Sequence, residues 1–391
     1  MPVEFALFVA ILGGVAFFHH RALQIAAGGA LAVALYKTFF RDFSFWRHLS
    51  HEWVILANLL GLLLGFAILA RNFELSAMPA LLPKFLPDNW TGGLCLLALV
   101  FVLSGFLDNI ASALIGGTVA RAVFQSRVTI GYLAAIVAAS NAGGAGSVIG
   151  DTTTTMMWIA GVPAADVLHA YVGAAVAFAV LGLPASIQQQ RYQPIVPDPP
   201  AGIRLDYPRL AVVMFMLLTV AGTNYFVNSH YPEMADHIPA LGVAIWIAIA
   251  VTLPVRKPDW SALSESWRGT FFLLSLVTCA SMMPVEELPP ASWRSSLALG
   301  FLSSVFDNIP LTALAIKQKG YDWGFLAYAV GFGGSMIWFG SSAGVALSAL
   351  FPEIKSTGRW LKAGWVLPLA YVAGFLAMLG ILGWHPLYQL K

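Results

Sequence analysis

The sequence predicts an all-α polytopic membrane protein built from two inverted repeats, and three observations predict it. Of 391 residues, 59% are hydrophobic and 10% charged, with a mean hydropathy of +0.77. Soluble domains carry roughly 25% charge. The apolar residues fall in long continuous runs, unlike the weak alternation of a membrane barrel. Polar interruptions in the first half recur in order in the second. Disorder is excluded, because it requires low hydrophobicity and high charge.

Apolar windows fall at about 5–18, 22–40, 53–70, 93–124, 129–161, 163–188, 209–227, 239–255, 269–283, 295–318, 323–352 and 361–384. Most match the roughly 20 residues of one spanning helix. The first has no basic segment before it and reads as a span, not a cleaved leader. Windows 93–124, 129–161, 295–318 and 323–352 are longer and are interrupted by polar residues and glycine. The one long polar connection, 189–208, is rich in proline and charge and marks a linker. It divides the chain into a first membrane repeat, 1–188, and a second, 209–391.

The two halves correspond motif by motif. Ser104-Gly-Phe-Leu-Asp-Asn109 matches Ser303-Ser-Val-Phe-Asp-Asn308, at an offset of 199 residues between the Asp-Asn pairs. Asn141-Ala-Gly-Gly144 with Gly150-Asp151 matches Gly331-Phe-Gly-Gly334 with Gly340-Ser341, at an offset of 190. If each Asp-Asn window is a re-entrant hairpin, each half crosses the membrane five times. An odd number of crossings inverts the second half, and the broken helices meet near the midplane. Lys and Arg then divide 14 to 7 between the two sides. The positive-inside rule puts the larger group, with the linker, in the cytoplasm and both termini outside.

Charge and cysteine content narrow the function. Net charge is +2, and no basic stripe exists to hold nucleic acid. Cys95 and Cys279 lie in apolar runs without a CxxC pair, and both read as buried packing residues. His19, His20, His48 and His51, with Trp46, Trp53, Trp90, Trp293 and Trp384, flank the spans as interface anchors.

An ionisable group inside a bilayer costs about 2.5–3.5 kcal/mol on insertion scales, so those retained need a reason. Asp108, Asp151 and Asp307 lie within the interrupted windows, with no Lys or Arg at comparable depth. Acids without bases suit cations or protons. Asn109, Asn141 and Asn308 offer amide oxygens, and Thr152 and Ser341, with their neighbours, offer hydroxyls. Gly143, Gly144, Gly333, Gly334 and Gly340 let the backbone unwind and turn carbonyls inward. An all-oxygen shell suits sodium, whereas softer metals prefer Cys or His. Asp151 has two open readings, an ion ligand or the N-cap of the helix beginning at Thr152. The Thr152–Thr155 run reads foremost as hydroxyls bonding back to carbonyls.

The stretch Asn141-Ala-Gly-Gly-Ala-Gly-Ser-Val-Ile-Gly-Asp-Thr-Thr-Thr-Thr-Met-Met-Trp-Ile159 resembles the signature of NhaD-type bacterial sodium/proton antiporters. Leu107-Asp-Asn109, Phe306-Asp-Asn-Ile-Pro310, Gly333-Gly-Ser335 and Gly340-Ser-Ser-Ala-Gly344 resemble that family's other motifs. The match covers roughly 104–165 and 303–353. The family falls in a wider superfamily with citrate, dicarboxylate and arsenite carriers. Gly146 stands where members usually carry an aromatic, Val148 where proline is usual, and Trp338 and Phe339 where aliphatics are usual.

The resemblance implies a secondary transporter of the bacterial inner membrane, without a cofactor, that exchanges sodium ions for protons. Dimers are usual among similar transporters. Sodium and protons would compete for Asp108 and Asp307, and rigid-body motion would expose the site to each side in turn. The alternative within the superfamily is sodium-coupled uptake of citrate or another anion, or arsenite export. An enzyme is not expected, since the Gly-x-Gly-Asp of intramembrane aspartyl proteases is broken at Val148.

Overall fold

The computed structural model describes residues 3–18, 21–107, 109–196, 204–231, 237–284, 287, 289–306 and 308–387. Among these, every regular element is helical. The chain opens with α1 (Val3–Phe17), α2 (Ala22–Phe40) and α3 (Phe45–Leu75), followed by a short turn, α4 (Met78–Leu81). The interrupted windows then form pairs of shorter helices. Window 93–124 becomes α5 (Trp90–Ser104) and α6 (Asn109–Val123), and window 129–161 becomes α7 (Ile130–Ala145) and α8 (Thr152–Ile159). The half closes with α9 (Ala164–Leu168) and α10 (Ala170–Tyr192).

The second half follows the same order. It opens with α11 (Tyr207–His230), α12 (Ala240–Thr252) and α13 (Ser261–Ser281). Two broken pairs come next: α14 (Trp293–Ser303) with α15 (Asn308–Gln318), and α16 (Trp323–Gly333) with α17 (Ser342–Leu350). It closes with α18 (Thr357–Ala363) and α19 (Val366–Ile381). Side chains set several starts. Asn89 Oδ1 accepts the Thr91 amide at 2.8 Å, and Ser292 and Ser295 form a capping box before α14.

By length and composition, three described runs are apolar enough to cross a bilayer: α2, α3 and Ala164–Tyr192. The pair α18 and α19, bent by 56°, qualifies together. Helices α5, α6 and α7 are apolar but shorter, because glycine and polar residues break their windows. The outer faces are apolar, with Phe39, Trp46, Leu218, Ile247 and Ile381 exposed, as a lipid-facing surface requires. Cys95 departs from the sequence expectation. It is exposed on α5, and only Cys279 is buried. Apolar surroundings in the sequence do not distinguish a lipid-facing position from a core position.

Helices α7 and α16 are buried almost throughout, as helices apolar on all sides should be. They pack on each other at the centre, and the pairs α10–α19 and α3–α13 also join equivalent helices of the two halves. Several further contacts come in matched pairs. α5–α7 answers to α14–α16, α2–α13 to α12–α3, α1–α2 to α11–α12, and α6–α17 to α15–α8. Other contacts are unequal between the halves: α13 packs closely on α15, α10 on α5 and α11 on α3, whereas α3–α6, α14–α19 and α1–α13 make little or no contact. α10 and α19 cross at glycines, a Cβ on Gly173 falling 3.1 Å from Gly374 O and one on Gly374 falling 2.5 Å from Gly173 O. Such small residues let membrane helices approach closely.

Charges gather at the helix ends. Arg71 of α3 pairs with Glu74, Asp259 and Glu265 at 3.2, 3.0 and 2.9 Å. Asp206 pairs with Arg209 and Arg256, and Arg209 donates to Asn72 Oδ1 at 2.8 Å. At the other end of α3, His48 Nε2 lies 2.8 Å from Ser281 Oγ. Nearby, Lys37 donates to Met282 O at 2.6 Å, and Arg41 pairs with Glu4 at 3.1 Å.

Candidate ion-binding site

Two breaks meet in each half, and glycine permits it. A Cβ on Gly143 would collide with Phe101 O, and one on Gly150 with Ser104 O. Gly333 and Gly340 stand in the same relation to Gly300 O and Ser304 O. The α7–α8 break therefore lies directly against the α5–α6 break, and the α16–α17 break against the α14–α15 break.

Asp151 sits at this junction, 4% exposed, with extended backbone at φ −143° and ψ 142°. It precedes α8 with no well-formed side-chain cap bond, although the Thr152 and Thr153 amides face its carboxyl. Oδ1 accepts from Asn109 Nδ2 at 3.3 Å, and Oδ2 accepts from Thr153 Oγ1. Asn109 Nδ2 also donates to Asn141 Oδ1 at 3.1 Å, and Asn141 Nδ2 donates to Ser335 Oγ at 2.9 Å. A chain of four buried side chains thus joins the first half to the second.

The other threonines brace the break. Thr154 Oγ1 reaches the carbonyl oxygens of Ser147 at 2.5 Å and Asp151 at 2.9 Å, and Thr155 Oγ1 reaches those of Val148 and Asp151, both at 2.9 Å. In the second half, Ser341 Oγ accepts from its own helix, from Gly344 N at 3.4 Å. Asn308 is buried, and its carbonyl accepts Thr312 Oγ1 at 2.9 Å. Asp108 and Asp307 lie outside the described residues.

A cavity of about 670 Å³ opens between α3 and α13 on one wall and α6, α8, α15 and α17 on the other. Asn109, Asp151, Thr152, Asn308 and Ser342 line its inner part, between apolar walls that include Leu62, Phe66 and Leu273. Arg71, Glu74 and Glu265 line its charged end. Asn141, Ser341 and the paired glycines do not line it. They stand behind the lining residues.

The relatives report one activity. Sodium/proton antiporter 1 of Arabidopsis thaliana is 26% identical over 325 residues, 73% of this chain and 54% of that protein. Na(+)/H(+) antiporter NhaD of Vibrio cholerae is 25% identical over 294 residues, 64% of this chain and 61% of its own length. The NhaD of Alkalimonas amylolytica is 26% identical over 324 residues, 70% and 66% respectively. The likeness is therefore to NhaD-type sodium/proton antiporters, at about a quarter identity. The chain spans about half to two thirds of the length of these relatives. No family model matches it.

Two departures from the NhaD-type pattern have visible replacements. A Cβ on Gly146 would lie 2.5 Å from Cγ of Tyr171, so a ring from α10 fills the place of the usual aromatic. Trp338 Nε1 donates to Thr357 Oγ1 at 3.1 Å, tying the second break to α18. Sequence reasoning did not single out Arg71, Glu74 or Glu265, which look like ordinary end-of-span charges until α3 and α13 are brought together. It noticed Ser335 only as part of a motif. The signal available was a hydroxyl directly after paired glycines where the first half carries Ala145.

Proposed function

We propose that the chain is a secondary active transporter that exchanges sodium for protons through this cavity. The observation that carries the reading is the polarity of the cavity. Its inner part ends on the Asp151 carboxylate, two asparagine side chains and hydroxyls, with no basic residue among them. Arg71, the one basic residue among the described lining residues, stands at the far end beside three carboxylates. Hard oxygen donors with net negative charge suit a monovalent cation and repel an anion. The names of the relatives point the same way.

The reading extends to architecture and mechanism. The matched helix pairings support two inverted repeats, each of five spans and a re-entrant hairpin, joined by a cytoplasmic linker in an inner membrane. Asp108 and Asp307, each next to a cavity asparagine, would hold sodium or a proton in alternation. The unequal contacts of α13–α15 and α3–α6 fit a transporter resting open towards one side.

The test uses purified full-length protein in liposomes carrying a pH-sensitive dye. Sodium or lithium, but not potassium or citrate, should dissipate an imposed pH gradient. Asp108→Asn and Asp307→Asn should each reduce that response by more than about tenfold, a barrier change of roughly 1.4 kcal/mol. Near-normal exchange by either variant, or a response to citrate in the wild type, overturns the proposal.

A further inference from the structure

We propose that Ser335 is a positioning residue for the cation site. It holds the Asn141 amide in one orientation and thereby fixes which atom of Asn109 faces the cavity. The inference rests on the reading of that cavity as a cation site.

The argument follows the direction of each hydrogen bond. An ionised carboxylate only accepts, so Asn109 must present its NH2 group to Asp151 Oδ1, at 3.3 Å. The same nitrogen donates to Asn141 Oδ1 at 3.1 Å. An amide nitrogen has two hydrogens, and both are now used. Asn109 Oδ1 therefore points away from both partners, and Asn109 lines the cavity. Asn141 turns its oxygen towards Asn109, so its own NH2 faces the opposite way. Ser335 Oγ stands there, 2.9 Å from Nδ2, on a residue with no exposed surface. The chain runs in one direction only, from Asp151 to a hydroxyl that accepts.

Loss of that hydroxyl leaves the Asn141 NH2 buried and unpaired, which a protein interior resists. Turning the amide relieves it but sets NH2 against the NH2 of Asn109. Asn109 cannot turn in step without setting its own oxygen against the Asp151 carboxylate, so one bond of the chain is lost and Asn109 Oδ1 is no longer held towards the cavity. The expected consequence is weaker cation binding rather than lost folding or motion. The repeat offers no substitute. Counterparts 190 residues apart pair Asn141 with Gly331 and Ser335 with Ala145, so this cross-half bond exists once.

The experiment compares wild type, Ser335→Ala and Ser335→Thr in liposomes at fixed pH, reading sodium-driven proton movement across a sodium series. Ser335→Ala should raise the half-saturating sodium concentration about tenfold, with the maximal rate within about twofold of wild type. Ser335→Thr, which keeps the hydroxyl, should stay within about twofold on both. Half-saturation unmoved in Ser335→Ala, a fall confined to the maximal rate, or equal shifts in Ala and Thr would overturn the proposal. If Ser335→Ala does not fold, Ser335→Cys is read instead. Its thiol is a weak acceptor, so an intermediate shift is expected and no shift overturns the proposal. Failure of the underlying reading looks different, because the wild type itself would then show no sodium-driven exchange.

Discussion

Asp151 and Ser341 occupy the same place in the two halves and do different things there. Each follows a glycine and starts a short helix from extended backbone, at φ −143° and −138°. The Cβ of Asp151 lies 3.0 Å from where a Cβ on Gly144 would be, and that of Ser341 lies 3.1 Å from the equivalent point on Gly334. Ser341 bends back and caps its own helix. Asp151 bonds one oxygen to Thr153 of its own helix and the other to Asn109 of α6, and it lines the cavity. The repeat supplies the geometry twice, and the side chain differs between the copies.

Substitutions should therefore separate the two positions. Asp151→Asn removes the charge with little change in shape and should reduce sodium-driven exchange more than about tenfold. Ser341→Ala removes a cap worth about 1 kcal/mol and should lower the melting temperature slightly, while exchange stays within about threefold. Equal losses of exchange in both would show that the halves share the work evenly.

Gly143 and Gly333 are needed for backbone contact, and their replacement should be structural in effect. The atoms that a new Cβ meets are carbonyl oxygens of Phe101 and Gly300, which have no flexible end to move aside. Gly143→Ala or Gly333→Ala should cost about 3 kcal/mol or more and reduce the folded peak in size-exclusion chromatography. Gly222 of α11 has open space around its Cβ position. There the same change should be neutral or stabilise by about 0.5–1 kcal/mol, because alanine favours a helix.

Much of this was legible in sequence, and the rest failed for identifiable reasons. The interrupted windows marked where the helices break, because glycine and polar residues in an apolar run conflict with a continuous span. Spacing alone put Asn141 and Asp151 in one interrupted window, although Asn141 lies within α7 and only Asp151 at the break. The sequence left Asp151 undecided between cap and ligand, because Asp before a Thr run serves either purpose. Only the positions of Asn109 and Thr153 show where its carboxylate turns. The Asn141–Ser335 bond joins residues 194 apart and has no local signature. Cys95 was misplaced because lipid and core are equally apolar.

The tie at Asp206 should depend on pH in a predictable direction. Hydrogen bonding from Arg256, with Arg209 beside it, holds this carboxyl below the usual carboxylate range. A depressed acid stabilises the fold above its unfolded value, near 3.9, and loses that contribution as pH falls through its folded value. Asp206→Asn should thus lower the melting temperature in detergent slightly at pH 7, and the difference should shrink as acid protonates the wild-type carboxyl in the folded state. A difference that persists undiminished in acid would show that shape, not charge, makes the contact.

The cavity has a direction, and thiol labelling reads it. Arg71 at its charged end pairs with Asp259 and Glu265, and Arg209, beside Asp206 where the linker ends, donates to Asn72. The charged end of the cavity therefore lies at the same end of α3 as Asp206, on the side proposed as cytoplasmic. Ser266 and Ala346 line it from opposite walls, in α13 and α17. Each is replaced by cysteine in turn, in a background with Cys95→Ser and Cys279→Ser, since Cys95 is exposed. A small membrane-impermeant cationic thiol reagent should modify both sites in inside-out vesicles more than about tenfold faster than in right-side-out ones. The cavity is large enough to admit it, at about 670 Å³ within the 300–1,000 Å³ typical of ligand pockets. Saturating sodium should slow the reaction if the ion binds deeper in the same space. Faster labelling in right-side-out vesicles would reverse the proposed orientation, and equal rates from both sides would show that neither end is closed.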